Sequence, residues 1–267
     1  MINMNRLMEV YGSSPNNWGD LLEFQGDYIN YGFWDNILLE DNKILSIEER
    51  IESSLALYQE VIKNLHINEA DICLELGCGR GVGIINALTQ YNCKKIIGLD
   101  LNPTQIERAK KNTLDIQFNN KIELEFMCAN AEDTKLPTES IDKIFSLEAV
   151  QHFDSIANFA KEAKRVLKPN GRMVFATYFL KSNERLNEVR KILSLIDEHL
   201  ENTTPVNSVC NSFIEAGFKN VTYRSIGEFV FYGYDKWVKQ VSKIPISQSY
   251  YKAYLAKYID YYVFEIE

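Results

Sequence analysis

Residues 72–83, Ile-Cys-Leu-Glu-Leu-Gly-Cys-Gly-Arg-Gly-Val-Gly, constrain this chain more than any other stretch. Ile72, Leu74 and Leu76 alternate with their neighbours as a short buried strand does. Gly77, Gly79, Gly81 and Gly83 follow at every second position, and Ile84-Ile-Asn-Ala-Leu88 opens a helix. A strand, a glycine loop and a helix present bare backbone N–H groups to a polar ligand, because glycine allows tight turns and close approach. Lys95-Ile-Ile-Gly-Leu-Asp100 predicts the next strand. Its last residue, Asp100, lies about twenty residues past the loop, where a carboxylate suits the two hydroxyls of a ribose. A dinucleotide fingerprint would need glycine at position 82, and Val82 stands there instead.

The string Glu75-Leu-Gly-Cys-Gly-Arg-Gly81, with Leu101 after the acid, resembles motif I and its following acid in class I S-adenosylmethionine (SAM)-dependent methyltransferases. Later segments keep that family's order. Ala129-Asn-Ala-Glu-Asp133, then Leu136-Pro137, is similar to the family's G-D-A-x-x-L-P segment, with Asn130 in place of the usual Asp. A neutral amide offers both donor and acceptor, so Asn130 can still bond an exocyclic amine. Leu147-Glu-Ala-Val-Gln-His-Phe153 is similar to the L-E-S/A-x-x-H-x stretch of sugar, phenol and phosphobase methyltransferases, where the His often serves as base. Leu167-Lys-Pro-Asn-Gly171 matches the family's L-K-P-G-G turn, a structural match only. Phe24-Gln-Gly-Asp-Tyr-Ile-Asn-Tyr-Gly-Phe-Trp-Asp35 resembles the Tyr-x-x-Tyr/His-Gly-x-Trp segment that closes over SAM and substrate in small-molecule methyltransferases.

The resemblance implies a site. The loop from Gly77 through Gly79 to Gly81 would hold the methionyl part of SAM, with Glu75 of motif I beside it. Asp100 would bind the ribose and Leu101 would pack on adenine. Asn130 and Ala131, with Glu132 next to them, would read the adenine edge. The backbone near Leu147 would meet the amino group, and Gln105 would reach the ligand from a helix start. His152 would deprotonate a hydroxyl acceptor, since an imidazole titrating near neutrality suits that task. A lid tyrosine, Tyr28 or Tyr31, would bond His152 or the methionyl carboxylate. Tyr28 is assigned to the catalytic pair and Tyr31 to the cofactor.

The remaining pattern predicts an α/β fold with a doubly wound, seven-stranded, mostly parallel sheet, and the resemblance implies that its last strand is antiparallel and lies between the fifth and sixth. Ser46-Ile-Glu-Glu49 is a capping box opening a helix to about Leu65. His66 follows at that helix's end, where a cation is favoured by the dipole. Asn102-Pro-Thr-Gln105 reads as an N-cap with proline at the first helical position. Further strands are expected at 122–128, 140–146, 172–177, 220–226 and 261–266, with helices at 156–167 and at 206–216, the latter capped by Gly217. Leu186, Val189, Ile192, Leu193 and Ile196 keep helical spacing in a stretch that leaves the core pattern, with His199 exposed among polar neighbours. The expected organisation is an N-terminal lid and helix over 1–69, then a SAM-binding core over 70–267 with a cap insertion at about 178–216. Eight tyrosines crowd the tail after Phe229; Tyr251, Ala253, Tyr254 and Tyr258, at helical spacing, read as core or a homodimer interface rather than as a substrate cage.

Composition bounds the rest. A chain of 267 residues can build a full core without a metal or disulfide staple. Its five cysteines are odd in number and form no C-x-x-C pair, so free thiols, no metal site and a cytoplasmic protein are expected. No run of about eighteen apolar residues suggests a membrane span, and the first residues lack a secretory pattern. The net charge of −8 disfavours a nucleic-acid substrate, despite a basic stripe at Lys161, Lys164, Arg165 and Lys168. The reading is a SAM-dependent methyltransferase acting on a small molecule, foremost a natural-product hydroxyl. Alternatives are N- or C-methylation of a small metabolite, a non-catalytic SAM-fold binding protein, and a nicotinamide-dependent oxidoreductase, which Val82 argues against.

Overall fold

The computed structural model describes residues 1–12, 17–114, 116, 122–242 and 249–267. The first half runs α1 (Met4–Val10), α2 (Ile47–Ile62), β1 (Ile72–Leu76), α3 (Val82–Gln90), β2 (Lys95–Asp100), α4 (Pro103–Thr113), β3 (Glu123–Cys128) and β4 (Ile141–Leu147). The second half runs α5 (Ile156–Val166), β5 (Leu167–Leu180), α6 (Leu186–Ile192), α7 (Ser194–Asp197), α8 (Val206–Glu215), β6 (Val221–Ser225), α9 (Gly227–Val241), α10 (Ser249–Leu255) and β7 (Ile259–Ile266). The strands form one seven-stranded sheet in the order β3-β2-β1-β4-β5-β7-β6. Strands β1 to β5 pair in parallel, and β7 runs antiparallel between β5 and β6. That is the expected doubly wound sheet. Its order reverses beside β1, which opens a crevice beyond the C-terminal ends of β1 and β4.

The period of two along the strands divides the core between two faces. Cys73, Ile96, Phe145, Val174 and Ala176 face Leu57 and Val61 of α2 and Val230, Phe231 and Val238 of α9. Leu74, Ile97, Leu99, Ile144 and Phe175 face Phe159 and Ala163 of α5 and Val209 and Phe213 of α8. Several predicted caps are present. Ser46 Oγ accepts from Glu49 N–H and Glu49 Oε2 accepts from Ser46 N–H, a full capping box. Asn102 Oδ1 accepts from Thr104 N–H ahead of Pro103.

Some boundaries differ from the expectation for physical reasons. The fifth strand begins at Leu167, because β5 carries the Lys168–Gly171 turn within it, with Asn170 at φ +66°. Asparagine tolerates that left-handed conformation. β5 also continues to Leu180, and α8 packs with α5 on the sheet. The segment standing over the ligand edge is therefore 181–205. Helix α9 was not expected, because its tyrosines and Gly233 hide its periodicity. Gly233 is where Trp34 packs: a Cβ there would lie 2.2 Å from the indole Cγ. Trp34 N–H donates to Phe229 O and its indole N–H donates to Tyr31 O. The aromatic lead thus belongs to the core, held also by fully buried Arg50, which donates to the carbonyls of Glu23 and Asn30. Among the tail residues read as core or interface, Ala253 is buried and Tyr251, Tyr254 and Tyr258 are half-buried. His66 and His199 are exposed. No helix among the described residues is long and apolar enough to cross a membrane.

Candidate active site

The glycine loop leaves β1 by hydrogen bonds from Gly77 and Cys78 N–H to Leu99 O at 2.8 and 3.0 Å. Gly77 has φ +70° and lies against Ala149, so close that a Cβ would meet the alanine methyl at 2.2 Å. Gly79, at φ +51°, has nothing within 4 Å of a would-be Cβ. Its bare face opens on a cleft of about 980 Å³. Gly79 N–H donates to Asp100 Oδ2 at 2.9 Å, and Asn102 N–H donates to Oδ1 at 2.8 Å. Backbone amides therefore orient the carboxylate at the mouth of the cleft. Burial raises the Asp100 pKa, and those amides oppose the rise.

The cleft brings together most of the expected cofactor residues: Gly77, Gly79, Asp100, Leu101, Gln105, Asn130, Ala131, Glu132 and Leu147 all line it. Gln105 Oε1 is buried there without a partner. Two expected residues lie elsewhere. Glu75 is buried beneath the loop, wedged against Gly83 and Tyr58, with Oε2 unpartnered; it supports the loop from behind and does not line the cleft. Tyr31 lines a second cavity instead, as described below. The free face of Gly79, the orphan oxygen of Gln105 and the tethered carboxylate of Asp100 fit a polar nucleoside ligand with an amino-acid tail.

The N-terminus roofs the cleft. Met4, Leu7 and Met8 of α1 line it, together with Asp27 and Ile29. Asn102 Nδ2 donates to Met8 O and Arg108 Nη2 donates to Gly12 O, tying this roof to α4. Arg80 of the glycine loop forms ion pairs with Asp20 and Asp27.

His152 stands where this cleft meets the second cavity and lines both. Its Nδ1 lies 2.7 Å from Leu200 O. A carbonyl only accepts, so Nδ1 carries the proton and Nε2 presents its lone pair. Nε2 lies 3.2 Å from Tyr11 Oη, whose hydroxyl donates to it. Burial pushes the imidazole down to about 4, so the ring is neutral near pH 7. The tyrosine beside the histidine is therefore Tyr11. Tyr28 lines neither cavity; its ring lies 6.2 Å from that of Tyr58.

The second cavity, about 660 Å³, is walled by Trp18, Phe24, Tyr31, Tyr234 and Tyr250. Two carboxyls, Glu148 and Glu201, also face it. Glu148 Oε1 accepts from Tyr31 N–H at 2.7 Å and from Tyr261 Oη at 2.9 Å. Tyr250 Oη lies 3.0 Å from both Glu201 oxygens. Burial pushes Glu148 up to about 8 and Glu201 up to about 7. Sequence reasoning missed Tyr11, Arg80, Glu148 and Glu201. Glu148 had a signal, an acid directly after the fourth strand; the others had none.

A family model described as "Methyltransferase domain" matches residues 74–175. The chain is 25% identical to 27-O-demethylrifamycin SV methyltransferase of Amycolatopsis mediterranei over 67% of its own length and 65% of the relative's. It is 30% identical to malonyl-[acyl-carrier protein] O-methyltransferase of Marinomonas sp. over 51% of its own length and 49% of the relative's. The chain thus spans less than two thirds of the length of either curated relative. In fold it is similar to a crystal structure of geranyl diphosphate C-methyltransferase from Streptomyces coelicolor A3(2), with a TM-score of 0.75 at 17% identity, covering 89% of this chain and 90% of that one. Residues 74–175 thus match a methyltransferase domain, and the fold is similar to that of Rossmann-like SAM-dependent methyltransferases.

Proposed function

We propose that the protein uses SAM to methylate a small molecule seated in the second cavity, at a hydroxyl whose proton passes to His152. The observation that carries this is the position of His152. Its unprotonated Nε2, which accepts from Tyr11 Oη, sits at the junction of a cleft fitted for a nucleoside and an aromatic cavity fitted for an organic guest. In this reading Asp100 holds the ribose hydroxyls, Leu101 packs on adenine, and Asn130 and Ala131 meet the adenine edge. Glu132 and Gln105 complete the rim, and the loop from Gly77 to Gly79 faces the methionyl part.

When bound, SAM supplies a methyl group on a positively charged sulfur. The chain aligns the partners and excludes water, which can contribute several kcal/mol, on the order of 7–11 at the extreme. His152 accepts the proton of the attacking hydroxyl, and Leu200 O keeps its ring in the required tautomer. Burial disfavours an imidazolium, and proton uptake is offset because methyl transfer cancels the sulfonium charge in the same enclosure. Tyr11 fills the bonding position of Nε2 until an acceptor hydroxyl takes it. The rifamycin relative, whose substrate is named as an O-demethylated compound, supports the hydroxyl reading and suggests natural-product chemistry as the context.

Calorimetric titration with SAM and with its demethylated product tests the first half. Both should bind, and Asp100→Ala should weaken them about 10–100-fold, the loss of hydrogen bonds to a charged group. Unchanged affinity would remove Asp100 from the site. Transfer of labelled methyl to a panel of small hydroxylated acceptors tests the second half; no transfer to any member, with cofactor binding intact, favours a binding protein.

A further inference from the structure

The second cavity contains more chemistry than a hydroxyl acceptor needs. His152 suffices to take a proton, yet two further carboxyls stand in the same aromatic chamber. Neither has an ion pair among the described residues. Arg50 is the cation that acts on Glu148, and it does so at a distance, its own N–H groups going to Glu23 O, Asn30 O, Ser53 and Ser54. The backbone of Glu148 has φ +49°, a strained conformation for a residue with a side chain. The bonds from Tyr31 and Tyr261 both fall on its Oε1, leaving Oε2 without a described partner. Glu201 comes from the segment over the sheet edge and is 4% exposed.

The rings complete the pattern. Tyr31 stacks on Tyr234 with centroids 4.4 Å apart, and Tyr250 is tilted against Tyr31 at 5.2 Å. Aromatic faces attract organic cations, and the attraction grows when water is excluded. Unpaired carboxyls in such a chamber are costly unless a ligand brings the opposite charge.

We propose that the second cavity is an organic-ammonium site. The acceptor carries a protonated or quaternary nitrogen that lies between Glu148 and Glu201 against the rings of Tyr31, Tyr234 and Tyr250, while its hydroxyl reaches His152. The nitrogen is the handle by which the acceptor is oriented, and the hydroxyl is the group that reacts. This rests on the methyltransferase reading above and narrows its substrate to small hydroxylated amines. Burial, which keeps both carboxyls partly protonated near neutrality, adds a signature: a permanent cation should drive them to ionise. The groups facing Glu148 are Tyr31, Tyr58, Tyr261, Arg50 and Glu201, and those facing Glu201 are Tyr31, Tyr178, Tyr250 and Glu148, with Tyr11 near both. Proton release on binding therefore belongs to the two carboxyls.

The test compares choline with its neutral isostere 3,3-dimethylbutan-1-ol, by calorimetry on the full chain saturated with S-adenosylhomocysteine so that the cofactor cleft is closed to both. Choline should bind at least tenfold more tightly. Its heat at pH 7 should vary with the ionisation enthalpy of the buffer, showing proton release. Glu201→Gln and Glu148→Gln should each reduce the preference for choline several-fold, with a retained cooperative thermal melt as the measure of folding. Equal affinity for the two probes, or a preference untouched in both variants, overturns the proposal. Should either variant fail to fold, the ratio of the two probes on the unaltered chain decides alone. Failure of S-adenosylhomocysteine itself to bind overturns the methyltransferase reading instead, so the two outcomes are distinguishable.

Discussion

In the proposed reaction the chemistry concentrates on one nitrogen. Nε2 of His152 is a lone pair held in place by a hydrogen bond on the other side of the ring, and its basicity is set by burial. A group whose protonated form is disfavoured keeps its proton-accepting form down to low pH. In the folded protein the ring should therefore titrate at about 4, well under the ordinary value of 6.5. The Cε1–H resonance followed by NMR against pH would show this. A midpoint near 6.5 would mean that water reaches the ring. His152→Ala should cut turnover of a hydroxyl acceptor by about 10²–10⁴ while leaving SAM affinity in place. Full activity in that variant would point to an amine or carbon acceptor, which needs no base of this kind. The position of residue 152 is legible in the sequence because it follows the fourth strand at the crevice. Its partners are not: Tyr11 and Leu200 lie far from it along the chain, and no local pattern announces either.

Among the elements, the roof over the cofactor cleft depends on a few long-range ties. Arg80 is the residue in the glycine loop whose side chain reaches the lid, and its guanidinium is buried between Asp20 and Asp27, both still open to solvent. Partly exposed pairs of this kind are worth about 1 kcal/mol or less each. Arg80→Met keeps the bulk and removes both pairs. It should weaken SAM binding by up to about tenfold and speed amide exchange across 18–29, as measured by mass spectrometry. Exchange unchanged in that segment would show that Trp34 and Arg50 hold the lid without help. The strands were readable because alternation survives burial on two faces, and the glycine loop because its backbone demands are unusual. Helix α1 was not readable: Met4, Leu7 and Met8 keep helical spacing, but seven residues are too few to carry the pattern. Lid tyrosines 28 and 31 have similar surroundings in sequence, and only packing against α2 and α9 separates their fates.

For the whole molecule, the two acidic groups of the second cavity make stability depend on pH in a direction opposite to the usual one. In the unfolded chain Glu148 and Glu201 ionise near 4.5, and in the folded chain near 8 and 7. Between those values the folded protein holds more protons, so stability is lost as pH rises through that window. His152 works the other way. Its folded pKa of about 4 against 6.5 unfolded removes stability as pH falls below 6.5. The two effects oppose each other in the acid range, and only the carboxyls act between about pH 6.5 and 8. Ligand-free protein should therefore melt at a higher temperature at pH 6.5 than at pH 8, each proton contributing up to about 1.4 kcal/mol per pH unit. Buried Glu75, also raised by desolvation, adds to the same slope. Replacing both cavity glutamates by glutamine should flatten the slope without abolishing it, in calorimetric melts at matched ionic strength. A melting temperature that rises from pH 6.5 to 8 in the unaltered protein would mean that both carboxyls are ionised and already paired, and the cavity would then have no unmet charge to offer a cationic guest.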